Sequence, residues 1–172
     1  AGGVRVRYGE LLAVSYRGRK VSLVALNFRN GRDAARWYDP QGDAIERMFL
    51  RQPADGHLTS TFGMRLHPIL NVMKPHQGVD WAGPTGTPVR AAADGRIIKV
   101  ATGPAAGRHL RLKHLRGYET EYMHLSRFAR RSKAGAGVLR GQVIGYVGNT
   151  GRSTAPHLHF GARKGGRYID PM

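Results

Sequence analysis

The sequence contains no cysteine. That excludes a disulfide framework, a thiolate-ligated metal and thiol catalysis, and it suits cytosol and periplasm alike. Carboxylates are scarce, with seven Asp and four Glu in the whole chain. No apolar run approaches the ~20 residues of a membrane-spanning helix. The first residues, Ala1-Gly2-Gly3-Val4-Arg5, have no apolar core and so no signal-peptide pattern. If the protein is exported, its signal or a membrane anchor belongs to an N-terminal region outside this sequence. Long amphipathic helices, internal repeats and low-complexity stretches are also lacking.

What is present is a chain of 172 residues, 41% hydrophobic, with 24 Gly and 9 Pro. That is enough to bury a core without covalent staples, and the Gly and Pro content points to many turns. Short apolar runs at Val4 to Tyr8, Leu11 to Tyr16 and Val21 to Phe28 read as hairpin strands. Asp43 could cap a helical turn through Leu50. The loop signal Gln52-Pro53-Ala54-Asp55-Gly56 sets a boundary, giving a small β module over 1–51 and a main domain over 52–172. In the main domain, Val89 to Ala93 and Arg96 to Ala101 flank Asp94-Gly95, a hairpin signal. Leu110 to His114, Tyr118 to His124, Gln142 to Val147 and His157 to Arg163 read as strands, and Ser126 to Ser132 as a short helix. The expected fold is mainly β, an antiparallel sheet or sandwich.

The 28 basic residues give a net charge of +17. A polyanionic partner follows: nucleic acid, anionic membrane or acidic wall polymer. The basic residues are scattered from Arg5 to Arg167, so charge alone does not choose among them. No helix-based or aromatic-platform motif supports nucleic acid, and none is expected as a partner.

Eight histidines stand at 57, 67, 76, 109, 114, 124, 157 and 159. Without cysteine, a zinc site must draw on His and carboxylate. His76 and Asp80 are four apart, a spacing that puts both on one face of a helix or strand, and Gly78 lets the backbone bend between them. His157 and His159 share one face of a strand, with Leu158 and Phe160 pointing into the core. His124 ends a strand. Two His and one Asp would supply three ligands and leave a fourth position open, the arrangement of a catalytic zinc site, with two His left for proton transfer. Singly, each of these histidines reads more readily as a packed or surface residue than as a ligand or catalytic group.

Taken together, these residues resemble the lysostaphin/LytM-type zinc metalloendopeptidases that hydrolyse peptidoglycan. The resemblance runs from about Leu58 to Met172. It is carried by Ser60-Thr61-Phe62-Gly63-Met64-Arg65-Leu66-His67-Pro68, His76-Gln77-Gly78-Val79-Asp80-Trp81, Tyr122-Met123-His124-Leu125, Gly141-Gln142-Val143-Ile144-Gly145 and Thr150-Gly151 through Pro156-His157-Leu158-His159-Phe160. It implies one zinc ion per chain held by His76, Asp80 and His159, with His124 and His157 as catalytic residues. One of that pair would help deprotonate the water that zinc activates, and the other would stabilise the oxyanion or protonate the leaving amine. Arg65, His67 and Tyr122 are candidates for substrate binding; Arg65 could equally pair with an acidic neighbour, His67 reads as structural or cleft-lining, and for Tyr122 filling the strand face is the favoured reading. Gly161 stands where the family often has an acidic residue.

The first 50 residues resemble, more loosely, the small β module that precedes the peptidase in many Gram-negative members, through Tyr38-Asp39-Pro40-Gln41-Gly42 and Met48-Phe49-Leu50-Arg51. That implies the D-Ala–meso-diaminopimelate cross-link as substrate and the cell envelope, in particular the periplasm, as location. The alternative is a catalytically silent cell-wall binder that regulates another murein hydrolase.

Overall fold

A computed structural model describes residues 12–17, 22–28, 36–38, 40, 52–66 and 72–172. Contacts divide the chain into two units, Ala1–Met48 and Phe49–Met172. The run Val4 to Tyr8, the helical turn expected up to Leu50, and His67 lie outside the described residues.

The first unit contains strands β1 (Ala13–Arg17), β2 (Ser22–Phe28) and β3 (Arg36–Tyr38), an antiparallel sheet of order β1-β2-β3. The second unit begins with β4 (His57–Ser60), β5 (Gly63–Leu66), β6 (Met73–His76), β7 (Val79–Ala82) and β8 (Pro88–Arg90). It continues with β9 (Gly95–Gly103), β10 (Gly107–Lys113), a single 3-10 turn at Leu115–Gly117, β11 (Tyr118–Leu125), β12 (Arg127–Phe128) and β13 (Gly137–Val138). It ends with β14 (Val143–Tyr146), β15 (His157–Lys164) and β16 (Arg167–Ile169). An eight-stranded sheet runs β13-β9-β10-β11-β15-β7-β4, with β16 also on β15; β12-β14-β8 form a second sheet and β5-β6 a third. The mainly antiparallel β architecture expected from the sequence is what forms. Among the described residues, no helix is long and apolar enough to cross a membrane.

Period-two alternation explains the layering. On β15, Leu158, Phe160 and Ala162 are fully buried, and on β7 Val79 is. Leu158, Phe160 and Val79 join Leu110 and Leu112 of β10, Val89 of β8 and Ile144 of β14 in one continuous apolar cluster. Asp80, His157 and His159 occupy the alternate positions of the same strands, on the opposite face.

Two local expectations fail. Asp94-Gly95 does not make a hairpin, because β8 pairs with β14 and β9 with β10 and β13. Ala91 exchanges backbone bonds with Gln142 and Gly141, and Asp94 Oδ1 accepts the Arg140 N–H at 2.6 Å. Tertiary partners thus pull the two strands into different sheets, overriding a turn that is favourable only locally. Ser126 to Ser132 is not a helix either. Arg127 and Phe128 pair with Tyr146 and Gly145, closing the small sheet over the core.

Candidate metal centre and cleft

His159 and Asp80 are directly opposed register partners on β15 and β7, so the sheet ladder itself brings them together. His76 arrives from the end of β6, in the separate β5–β6 sheet. The spacing of four therefore works through a bend at Gln77-Gly78 and not through a shared strand face. Only glycine fits at 78, because a Cβ there would stand 2.5 Å from the Phe160 carbonyl and 2.8 Å from His159 Nε2.

The three side chains present one donor atom each. His76 Nε2 lies 3.2 Å from Asp80 Oδ1 and 3.0 Å from His159 Nδ1, and His159 Nδ1 lies 2.9 Å from Asp80 Oδ1. Donors held at the ~2.0–2.1 Å that zinc takes in a tetrahedral site stand roughly 3.3 Å apart. The triangle is close to that size, and the donor set of two imidazoles and a carboxylate suits zinc. The Nδ1–H of His76 donates to the Thr61 carbonyl at 2.8 Å, which leaves Nε2 with its lone pair toward the triangle. Burial pushes the Asp80 carboxyl up, but its interactions with the His159 and His76 imidazoles outweigh it and hold the group well below the usual carboxylate range. Its other oxygen, Oδ2, accepts from Arg65 Nη2 at 3.0 Å. Of the two readings of Arg65, the acidic partner is the contact that forms.

His124 and His157 lie beside this triangle with ring centroids 4.7 Å apart. His157 Nδ1–H donates to the Ala155 carbonyl at 2.8 Å, and Nε2 is 3.8 Å from Asp80 Oδ1. His124 Nδ1–H donates to the Thr150 carbonyl at 2.8 Å. Each ring therefore keeps Nε2 free as a proton acceptor when neutral. Burial lowers the His124 imidazole to about 4, with further lowering from His157 and His159 against the raising influence of Thr150 and Asp80.

Strict alternation along β11 would send His124 into the core with Thr120 and Tyr122. A bulge prevents this: two steps on β10, from Leu110 to Arg108, are matched by three on β11, from Tyr122 to Leu125. His124 takes the extra position at φ 62°, with its N–H on the Ala106 carbonyl at 2.9 Å. Its ring is thereby aimed away from the core, and Leu125 is buried in its place.

All five histidines and carboxylates named for metal or catalysis line a single cleft of about 740 Å³, as does Arg65. Tyr122 does not, which corrects its candidacy for substrate binding. It is fully buried, and its hydroxyl accepts the Ala92 N–H at 2.8 Å and bonds Thr120 Oγ1 at 3.0 Å. Burial pushes that phenol up to about 12. His114 completes the same buried chain, with Nε2 2.7 Å from Thr120 Oγ1 and Nδ1 2.8 Å from the Asp94 carbonyl.

Sequence reasoning passed over several contributors. The orienting carbonyls of Thr61, Thr150 and Ala155 carry no side-chain signal. Tyr168, at the cleft, donates to Glu121 Oε2 at 2.9 Å, and Glu121 is itself buried against Arg111 Nη2 at 2.6 Å. Lys74 and Arg152 also line the cleft, and their types alone did not separate them from 26 other basic residues.

Residues 74–171 match the model of Peptidase family M23. The chain is 48% identical over 115 residues to the DD-carboxypeptidase/endopeptidase Mpg of Neisseria meningitidis, covering 67% of this chain and 26% of that protein. It is 38% identical over 166 residues to the peptidoglycan DD-endopeptidase ShyA of Vibrio cholerae, covering 95% of this chain and 37% of that protein. The chain thus spans between about a quarter and two fifths of the length of these curated relatives. A solved zinc-containing peptidase from Vibrio cholerae superposes with a TM-score of 0.70 at 39% identity, over 95% of this chain and 50% of that one.

Proposed function

This chain belongs to peptidase family M23, and on that footing we propose that it is a zinc-dependent endopeptidase that cleaves peptide cross-links of bacterial peptidoglycan. The observation that carries the reading is the triangle of His76 Nε2, Asp80 Oδ1 and His159 Nδ1, with edges of 2.9 to 3.2 Å, at the base of a cleft that also holds two further imidazoles. In this reading His76, Asp80 and His159 hold one zinc ion. Zinc there supplies a Lewis acid that polarises the scissile carbonyl and brings water toward ionisation near neutral pH.

His124 and His157 do the proton work through their Nε2 atoms. Between them they take the proton of the attacking water and return one to the leaving amine as the C–N bond breaks, and the protonated ring stabilises negative charge on the former carbonyl oxygen. The Thr150 and Ala155 carbonyls keep both rings in the required tautomer. Arg65, held on Asp80 Oδ2, orients the ligand carboxylate.

The D-Ala–meso-diaminopimelate bond is the proposed target. Its support is the DD-endopeptidase activity in the name of a relative that this chain matches over 95% of its length. The place of action that follows is the cell envelope, in the periplasm, where the positive surface favours the anionic wall. A complete ligand triangle is not required of a silent wall-binding regulator, and its presence weighs against that alternative.

The test is digestion of purified cross-linked peptidoglycan with and without a chelator, read by mass spectrometry. Chelator-sensitive conversion of dimeric to monomeric muropeptides is expected, and the products name the bond. Absence of conversion by a zinc-loaded sample would overturn the proposal.

A further inference from the structure

The cleft is lined by three cations, Arg65, Lys74 and Arg152, and by one carboxylate, Asp80. Asp80 is already committed, through one oxygen to the ligand triangle and through the other to Arg65. Among the described residues, neither Lys74 nor Arg152 has an ion-pair partner within 4.0 Å.

Both sit close in sequence to the reactive groups. Lys74 is two residues before His76 on β6, so the two share a strand face. Arg152 is in the segment just before His157, and its N–H is fixed on the Ala105 carbonyl at 2.9 Å. Lys74 is moreover the direct cross-strand partner of Arg65. Like charges in that position repel, and an opposite-charge pair would serve the two-stranded sheet better. Folding gives no reason to place a second cation there. An anionic ligand does, because it would relieve the repulsion.

We propose that Lys74 and Arg152 form a carboxylate-recognition subsite beside the ligand triangle, and that the preferred substrate is a peptide with a free carboxylate next to the scissile amide. This rests on the peptidase reading above and deepens it. A guanidinium and an ammonium are the two side chains suited to hold a carboxylate by charge-assisted hydrogen bonds. In a protein of net charge +17, the same groups also draw an anionic peptide into the cleft.

Two probes test it: a D-alanyl–meso-diaminopimelate peptide whose carboxylate beside the scissile amide is free, and the same peptide with that group as a carboxamide. The zinc-loaded protein is expected to cleave the carboxylate form with kcat/KM roughly tenfold higher, a preference that shrinks with added salt. In the Lys74→Gln, Arg152→Gln double variant the ratio falls to about one, whereas Lys99→Gln, an exposed change on β9, keeps it. Binding of both peptides to metal-free protein, followed by NMR titration, removes any attraction of the carboxylate to zinc and should show the same preference. Equal binding of the two peptides, or a preference that survives the double variant, overturns the subsite. Failure to cleave either peptide, with the binding preference intact, instead overturns the peptidase reading and leaves the subsite standing.

Discussion

His76 Nε2 and His159 Nδ1 lie 3.0 Å apart although 83 residues separate them in the chain. Two imidazole nitrogens at that distance, both buried beside one carboxylate oxygen, are a poor arrangement for an empty site and a good one for a cation. Zinc should therefore stabilise the folded protein, by about 4 kcal/mol when free zinc exceeds its Kd a thousandfold. Thermal unfolding of chelator-treated protein, with and without added zinc, measures this. His76→Ala and Asp80→Ala should show no zinc-dependent rise in Tm and no activity. A rise that persists in His76→Ala would place the metal elsewhere.

The two remaining cleft histidines should behave differently. Substituting His124 or His157 by Ala is expected to leave bound zinc unchanged, by elemental analysis, and to lower kcat by roughly 10²- to 10⁴-fold. Loss of zinc from either variant would make it a ligand and contradict the assignment of His76, Asp80 and His159 as the complete protein set.

The left-handed backbone of His124, φ 62°, gives a third test. A side chain with a Cβ costs roughly 1–2 kcal/mol in that region, and a branched one costs more. Among variants that all lose the ring, His124→Gly should be more stable than His124→Ala by about 1 kcal/mol, and His124→Val less stable than both. Urea unfolding of metal-free protein reads the order. The reverse order would mean that the bulge relaxes when the ring is removed.

Acid should destabilise the metal-free protein in a defined window. His124 titrates near 4 when folded against 6.5 unfolded, and His114 is lowered too, chiefly by burial. Both folded values lie below the unfolded one, so over that window the unfolded chain binds more protons. The stability contribution is full above about pH 6.5 and is lost as pH falls toward 4. Going from about pH 7.5 to about pH 5 should cost about 2 kcal/mol through His124, and His124→Asn should remove that share. Below the ordinary carboxylate range, protonation of Asp80 removes a further contribution. A urea midpoint that does not move between the two pH values would refute the neutral, buried state of these rings.

How much of this could be read from the sequence differs by residue. His157-Leu158-His159-Phe160 was fully legible, because alternation on a single strand settles which side chains go inward. His76 and Asp80 were legible as a pair but not in their geometry, since the bend at Gly78 sends them to different sheets. Asp94-Gly95 misled, because a turn signal is local and the partners that decided its strands, Gln142 and Gly141, are almost fifty residues away. Tyr122 lies two residues from His124 in sequence, yet alternation sends it to the core. His124 escapes the same fate only through a bulge that leaves no mark in the amino-acid code. Lys74 and Arg152 became visible only when the fold put them in one cleft whose single carboxylate among the described residues, Asp80, is already engaged by Arg65.

The opposition of Asp80 and His159 across β7 and β15 also sets a condition on binding of the proposed metal. Their ladder closes a loop of 79 residues, a non-local pairing whose closure carries a large entropy cost. A slip of one residue would turn Asp80 to the other face and bring a core side chain into its place. Tight capture of the proposed metal would therefore require correct alignment of the central strands, so that an ion there would distinguish a finished chain from a misregistered one.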